Sequence, residues 1–288
     1  MKIALIGANG QLGTDINSYF KEKGLDVVGL IQDDIEVCDF DMSNKVLNRI
    51  KPDLVINTAA FHQVDLCEDE VLSSFKVNAL GVKNLAKICL DLDIPLMHFS
   101  TDFVFGGGKS RNTPYTEDDC PKPVSLYGIS KLAGEHIIRY MLSKYYLVRV
   151  CGLYGHAGPY GKGSNFVDLM IKLAKEGKDI KVVDDQVLTP TSTNDVAEKL
   201  YELIQTGRYG LYHMTNTGSC SWYEFACEIF KLAGLSPNIS PTTSEEFGAK
   251  AKRPAYSVLD NVNLRKIGLK DLRYWKEALE DYIKGRKK

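Results

Sequence analysis

The chain has 288 residues, 44% hydrophobic and 25% charged, enough to bury a substantial core and to divide into a larger and a smaller unit. Lys and Arg number 36 against 37 Asp and Glu, and a formal net charge of -1 supplies no field to gather a polyanion, so nucleic acid is not expected as a partner. No apolar run approaches the roughly 20 residues of a membrane-spanning helix, so no membrane partner is expected.

The first strand-like run begins directly after Met1, which predicts no signal peptide. Cysteines at 38, 67, 89, 120, 151, 220 and 227 are odd in number and scattered, without the paired spacing of metal ligands. The sequence therefore predicts a cytoplasmic protein without a metal site, and leaves a homodimer open.

Short aliphatic runs, Ile3 to Ile6, Asp26 to Leu30, Leu54 to Asn57, Pro95 to Ser100 and Tyr145 to Val150, alternate with helix-length segments. Runs too apolar to leave one face in water indicate parallel strands covered by helices on both sides. The predicted fold class is α/β, a Rossmann-type doubly wound parallel sheet with a smaller mixed α/β substrate domain on its C-terminal side. Ile16, Tyr19 and Phe20 share one face of the first helix, and Gly24 stands where a C-cap belongs. Ser43 is the expected N-cap of a short helix carrying Val46, Leu47 and Ile50 and ending ahead of Pro52.

Past residue 155 come a Gly-rich stretch (Gly155 to Ser164), a helix, a strand at Lys181 to Val183 and mixed short elements. The expected division is 1–155 for the dinucleotide-binding domain, with 180–207 returning to it, and 156–179 plus 208–288 for the substrate domain. The site is expected in the crevice between them, at the carboxyl ends of the strands.

Gly7-Ala8-Asn9-Gly10-Gln11-Leu12-Gly13 joins the first strand to the first helix. Glycines there permit a tight turn, let backbone approach a pyrophosphate at the helix N-terminus, and let helix pack on sheet. An ordinary Gly-rich turn would read the same way, but the position at the head of an alternating β/α chain is the one that the mechanism requires. At the end of the second strand, Leu30-Ile31-Gln32 offers neither the acid expected for NAD(H) nor the Arg expected for NADP(H), so use of both is predicted.

Tyr127 and Lys131 are four apart in a predicted helix, Ser125 to Leu142, whose inward face is read as Leu132, Ala133, Ile137 and Met141. They project toward one site, where the ammonium can stabilise the phenolate of a group that otherwise titrates near 10. Such a pair is also common on helix surfaces. Ser100-Thr101-Asp102 ends a strand in the same half of the sheet, and Thr101 can hold a carbonyl oxygen while Tyr127 donates the proton the alkoxide needs. Ser100 and Thr101 could equally cap the following turn.

The GxxGxxG spacing and the Thr, Tyr and Lys set resemble the short-chain dehydrogenase/reductase superfamily. In its extended branch an Asp holds the adenine amino group, and Asp41 with Met42 matches by position, although a polar turn before a helix would look alike. The chain further resembles the dTDP-4-dehydrorhamnose reductase family from end to end. The resemblance rests on Gly10-Gln-Leu-Gly13, Asn57-Thr-Ala-Ala60, Val64-Asp65, Ser100-Thr-Asp-Phe-Val-Phe105 and Tyr127-Gly-Ile-Ser-Lys-Leu-Ala-Gly-Glu135. Asn165-Phe-Val167, Asp185-Gln186 with Pro190-Thr191, and Arg253-Pro254 with Ser257-Val-Leu259 follow in the family's order.

The resemblance implies hydride transfer from NADPH or NADH to C4 of a 4-keto deoxysugar on a nucleoside diphosphate, with Thr101, Tyr127 and Lys131 catalytic. It implies cofactor contacts from Gly7, Gly10, Gln11, Leu12, Gly13, Asp41, Met42, Ala59, Ala60, Phe61, Asn78, Ser100 and Cys151, besides Tyr127 and Lys131. For the nucleotide-sugar substrate it implies His62, Val64, Asp102, Phe103, Gly152, Asn165 and Arg253, the last meeting a phosphate.

This sequence departs from the family pattern at His62 (usually Thr), Phe103 (usually Tyr), Gly152 (usually Trp) and Leu188 (usually within a Gly-bearing stretch), and in the longer Gly-rich insert. Tyr154, His156 or Tyr160 of that insert are expected to fill the space at Gly152 and close over substrate. Two other readings keep the fold: a non-catalytic dinucleotide-binding regulatory subunit, and a sugar-nucleotide epimerase. A dehydratase is disfavoured because Phe103 stands where its Glu would be.

Overall fold

The computed structural model describes residues 1–108, 110–157 and 163–286. The first half alternates β1 (Lys2–Ile6), α1 (Gln11–Glu22), β2 (Asp26–Leu30), α2 (Phe40–Ile50) and β3 (Leu54–Asn57). Short helices α3 (Val64–Cys67) and α4 (Val71–Phe75) lead through a π-helical turn, Lys76–Gly81, into α5 (Val82–Asp91), β4 (Leu96–Thr101), α6 (Leu126–Met141) and β5 (Tyr145–Val150). The second half holds β6 (Leu153–Tyr154), α7 (Phe166–Lys175), β7 (Ile180–Val183), β8 (Val187–Leu188), β9 (Thr191–Ser192), α8 (Thr193–Thr206) and β10 (Gly210–His213). It ends with β11 (Cys220–Ser221), α9 (Trp222–Ala233), β12 (Ile239–Thr242), α10 (Ser244–Phe247), α11 (Val262–Lys266) and α12 (Trp275–Gly285).

Among the described residues, six parallel strands form one sheet in the order β10-β5-β4-β3-β1-β2. The order reverses at β1, whose carboxyl end with that of β3 opens the crevice where such folds take ligands. Ile16 and Phe20 of α1 pack with Val196, Leu200 and Leu203 of α8 on one face of the sheet. Val46 and Leu47 of α2, Val82 and Leu85 of α5 and Ile138 of α6 cover the other. The doubly wound sheet follows from strands that are apolar on both sides.

Four expectations are corrected. Helix α2 begins at Phe40 because Asp39 Oδ1 accepts the Met42 N–H at 2.9 Å, so Ser43 lies inside the helix and donates its hydroxyl to the Glu36 carbonyl. Leu132 and Met141 pack against the core as expected, but the fully buried face of α6 is Lys131, Gly134, Glu135 and Ile138, because Glu135 pairs with Arg149 and Lys131 meets His98 inside. Strand β10, assigned to the substrate side, instead extends the main sheet beside β5. Strand β7, expected to return to the main sheet, pairs with β12 in the second unit.

That unit packs α7, α9 and α12 around Tyr154, Phe225, Ile229, Trp275, Leu279 and Tyr282. Among the described residues no helix is long and apolar enough to cross a membrane.

Candidate active site

A cavity of about 700 Å³ opens at the carboxyl ends of β1, β3, β4 and β5, against residues of the second unit. At its floor Gly7 turns the chain with φ +81. A β carbon on Gly13 would stand 2.1 Å from the Gly7 carbonyl oxygen, so only glycine lets α1 start this close to the loop. Gly10, Gln11, Leu12, Ala59, Ala60 and Phe61 also face the cavity. The N-cap Gly10 supplies no side-chain acceptor and the first turn of α1 holds no acid, which leaves its N–H groups for an anion. Gln11 Oε1 and Ser100 Oγ are buried in the same wall without a hydrogen-bond partner among the described residues. These features fit a dinucleotide.

At the far end the wall is Ile31, Gln32, Ile35, Glu36 and Val37. Asp41 and Met42 do not reach it, since the early start of α2 carries them into its first turn. The carboxylate found there is Glu36, which accepts the Cys38 N–H at 3.0 Å and the Gln32 amide at 3.3 Å. Burial raises its pKa, but these bonds and the charge of Lys76 outweigh that and hold it below the usual range. Asn78 is also off the wall: it accepts the Phe61 N–H and donates to the Phe61 carbonyl and Ser130 Oγ, bracing the wall from behind.

The structure brings Thr101, Tyr127 and Lys131 together at the cavity's centre. Ser125 Oγ caps α6 on the Gly128 N–H. Gly134 lets the helix approach the π-helical turn, since a β carbon there would stand 2.4 Å from the Asn78 carbonyl oxygen. Thr101 Oγ1 accepts the Phe103 N–H at 3.2 Å and donates to Asp102 Oδ1 at 3.0 Å, in the neighbourhood of the Tyr127 phenol. Burial first, then the Asp102 charge, raises the phenol's pKa against the opposing effect of the Thr101 hydroxyl, so Tyr127 stands protonated. Burial pushes the Lys131 ammonium down to about 8, opposed by Glu135. Arg149 takes both Glu135 oxygens at 2.9 and 2.6 Å and reaches His213 Nε2 at 3.3 Å, bolting α6 to β5.

His62, Val64, Asp102, Phe103 and Gly152, expected at the sugar, and Cys151, expected at the cofactor, also line the cavity. Asp102 is buried and its pKa raised by burial, against bonds from Ser257, Cys151 and Thr101. Phe103 sets its ring edge-on to Tyr127, centroids 5.6 Å apart. Asn165 reaches the wall with its amide already engaged: Oδ1 caps the Asp168 N–H, and Nδ2 donates to the Gly155 carbonyl and Tyr282 hydroxyl. Arg253 forks onto Asp65 at 3.2 and 2.9 Å and donates to the Ala251 carbonyl, which leaves part of its five-donor group.

Leu188 lies in front of Gly152, and neither Tyr154 nor His156 takes that place. Tyr154 is buried in the second unit's core and His156 stacks on Tyr282 at 4.6 Å, while Tyr160 lies outside the described residues.

The sequence did not reveal Glu36 and Trp222 on the wall or His98 beneath it. Nothing in a sequence separates a lone His in an apolar strand from an ordinary core residue. The motif around Asp185-Gln186 did point toward Gln186, which lies on the wall.

A family model described as the RmlD substrate binding domain matches residues 1–287. A dTDP-4-dehydrorhamnose reductase from Clostridium acetobutylicum ATCC 824 superposes with a TM-score of 0.94 at 43% identity, covering 100% of both chains. A second, from Bacillus anthracis str. Ames in complex with NADP, gives 0.93 at 38% identity over 99% of this chain and 100% of that one. The spore coat polysaccharide biosynthesis protein SpsK of Bacillus subtilis (strain 168) is 38% identical over 99% of this chain and 98% of its own. The chain belongs to the RmlD substrate binding domain family, the family of the dTDP-4-dehydrorhamnose reductases.

Proposed function

We propose that this chain reduces the C4 ketone of dTDP-4-dehydro-L-rhamnose to give dTDP-L-rhamnose. The observation that carries the reading is the meeting of Thr101, a protonated Tyr127 and Lys131 in one cavity with an uncapped, glycine-led helix N-terminus. When bound, NADPH or NADH supplies the hydride. Thr101 turns its hydroxyl from Asp102 to hold the carbonyl oxygen, and Tyr127 donates its proton as that oxygen becomes an alkoxide. The Lys131 ammonium stabilises the phenolate left behind.

The N–H groups of Gly10 to Gly13 receive the pyrophosphate, and Glu36 with Val37 takes the adenine role first given to Asp41 and Met42. Among the described residues no Lys or Arg lines the cavity between Ile31 and Val37, so the two cofactors are expected to differ by less than about tenfold. The sugar nucleotide lies against Phe103, Leu188 and the remaining donors of Arg253. The part of the chain beyond 155, apart from α8 and β10, supplies the second-unit wall.

All residues named come from one chain, so the reading needs no second copy. Seven cysteines with no disulfide among the described residues suit a cytoplasmic setting. Incubating the purified chain with a panel of dTDP-4-keto sugars, with NADPH oxidation and product stereochemistry followed together, tests the proposal. Turnover of the rhamnose precursor supports it, and turnover confined to another 4-keto sugar would reassign the substrate.

A further inference from the structure

Two polar side chains outside the cavity wall lie in a row behind Lys131. Asn57 on β3 and His98 on β4 are register partners, and each is 1% exposed. Asn57 Nδ2 stands 3.1 Å from His98 Nδ1, and His98 Nε2 stands 3.2 Å from Lys131 Nζ. At the other end Asn57 Oδ1 lies 3.1 Å from the backbone nitrogen of Ala59, a residue of the cavity wall.

The direction of this chain of bonds is fixed from Ala59. A backbone N–H only donates, so the Asn57 oxygen must face it and the Asn57 NH₂ must face His98. That NH₂ donates to Nδ1, so Nδ1 carries no hydrogen. Burial first, then the Lys131 charge, holds the imidazole's pKa well below its ordinary value, so the ring is neutral. Its single hydrogen therefore sits on Nε2, aimed at Nζ. A neutral amine accepts that bond, whereas an ammonium finds a donor where it needs an acceptor.

The other groups near the proton-transfer pair do not reverse this. Glu135 on the same helix is engaged by Arg149 of β5, Asp102 accepts from Thr101 and Cys151, and Cys67 of α3 is a buried thiol near Tyr127.

We propose that Asn57 and His98 are positioning residues for Lys131: Asn57 locks His98 as its Nε2–H tautomer, and that N–H anchors Nζ behind Tyr127 and favours amine over ammonium. The consequence for turnover rests on the reductase reading. The ammonium that accompanies the phenolate is lost at a lower pH than it would be beside an acceptor.

Asn57→Asp inverts the lock. A carboxylate accepts from both the Ala59 N–H and the imidazole, which moves the hydrogen to Nδ1 and leaves Nε2 as an acceptor for the ammonium. The basic limb of the kcat/KM pH profile then moves up by about one unit. In a His98→Leu background the same Asn57→Asp change moves the limb no further, which separates the tautomer from the added charge.

Nitrogen NMR of ¹⁵N-histidine-labelled protein reads the tautomer without turnover, with His98 assigned by its loss in His98→Leu. The expected wild-type signature is a protonated Nε2 and a bare Nδ1, reversed in Asn57→Asp. A bare Nε2 in the wild type overturns the proposal, as does an equal limb shift with and without His98. Because the NMR signature needs no substrate, failure of the reductase reading alone leaves it intact.

Discussion

Leu188 occupies the place in front of Gly152: its Cδ1 lies 2.8 Å from where a β carbon on residue 152 would stand, and Gly152 itself has φ +55. A side chain at 152 would meet both a steric block and a left-handed backbone, while Leu188 supplies the apolar wall there. Gly152→Ala should cost about 1 to 2 kcal/mol from backbone conformation alone, read as a lowered midpoint of thermal unfolding. Leu188→Ala should raise KM for the sugar nucleotide several-fold and leave cofactor affinity unchanged. Equal effects on both ligands would place Leu188 away from the sugar.

Tyr127→Phe removes the proton donor and keeps the ring against Phe103. Positioned acid catalysis contributes about 10²- to 10⁴-fold, so kcat should fall at least about a hundredfold while NADPH titration stays near native. Lys131→Ala should damage both. In the wild type the ammonium is the working form and its pKa is held down to about 8. Activity should therefore be full below that pH and fall as pH rises through it. A flat profile to pH 9.5 would remove Lys131 from the reaction.

The Glu135–Arg149 pair is about 1% exposed on both sides. Glu135→Leu leaves a buried guanidinium without its carboxylate, a loss that runs to about 3 to 5 kcal/mol. The double replacement Glu135→Leu with Arg149→Met should recover much of this stability, because both desolvated charges are gone. Chemical denaturation of the three proteins distinguishes a bolt of this kind from two independent contacts.

The sheet was legible because β1, β3, β4 and β5 are apolar on both faces, and the phosphate loop and the Tyr127 and Lys131 pair because their spacings have a mechanical reason. What was not legible depended on which neighbour arrives from elsewhere in the chain. Asp41 looked like the adenine residue, yet the Asp39 cap starts α2 early and leaves Glu36 on the wall. Gly152 and Leu188 read as two unrelated departures and prove to be one steric exchange. Asn78 reads as a ligand contact, but its amide is engaged by Phe61 and Ser130 behind the wall, while Asn165 reaches the wall with its amide nitrogen held by Gly155 and Tyr282. Periodicity gave α6 its length and set Leu132 and Met141 against the core, while the burial of Glu135 and Lys131 depends on Arg149 and His98 arriving from β5 and β4, which no hydrophobic pattern encodes.

The central claim is that hydride reaches C4 of a dTDP-4-keto sugar while Tyr127 supplies the proton. Reduced cofactor deuterated at nicotinamide C4 tests this most directly, with the product analysed by NMR. The account predicts one deuterium at sugar C4 for wild-type protein, formed with either cofactor and at least about a hundredfold more slowly by Tyr127→Phe. Protein that binds the cofactor but places no deuterium at C4 of any 4-keto sugar nucleotide would contradict it.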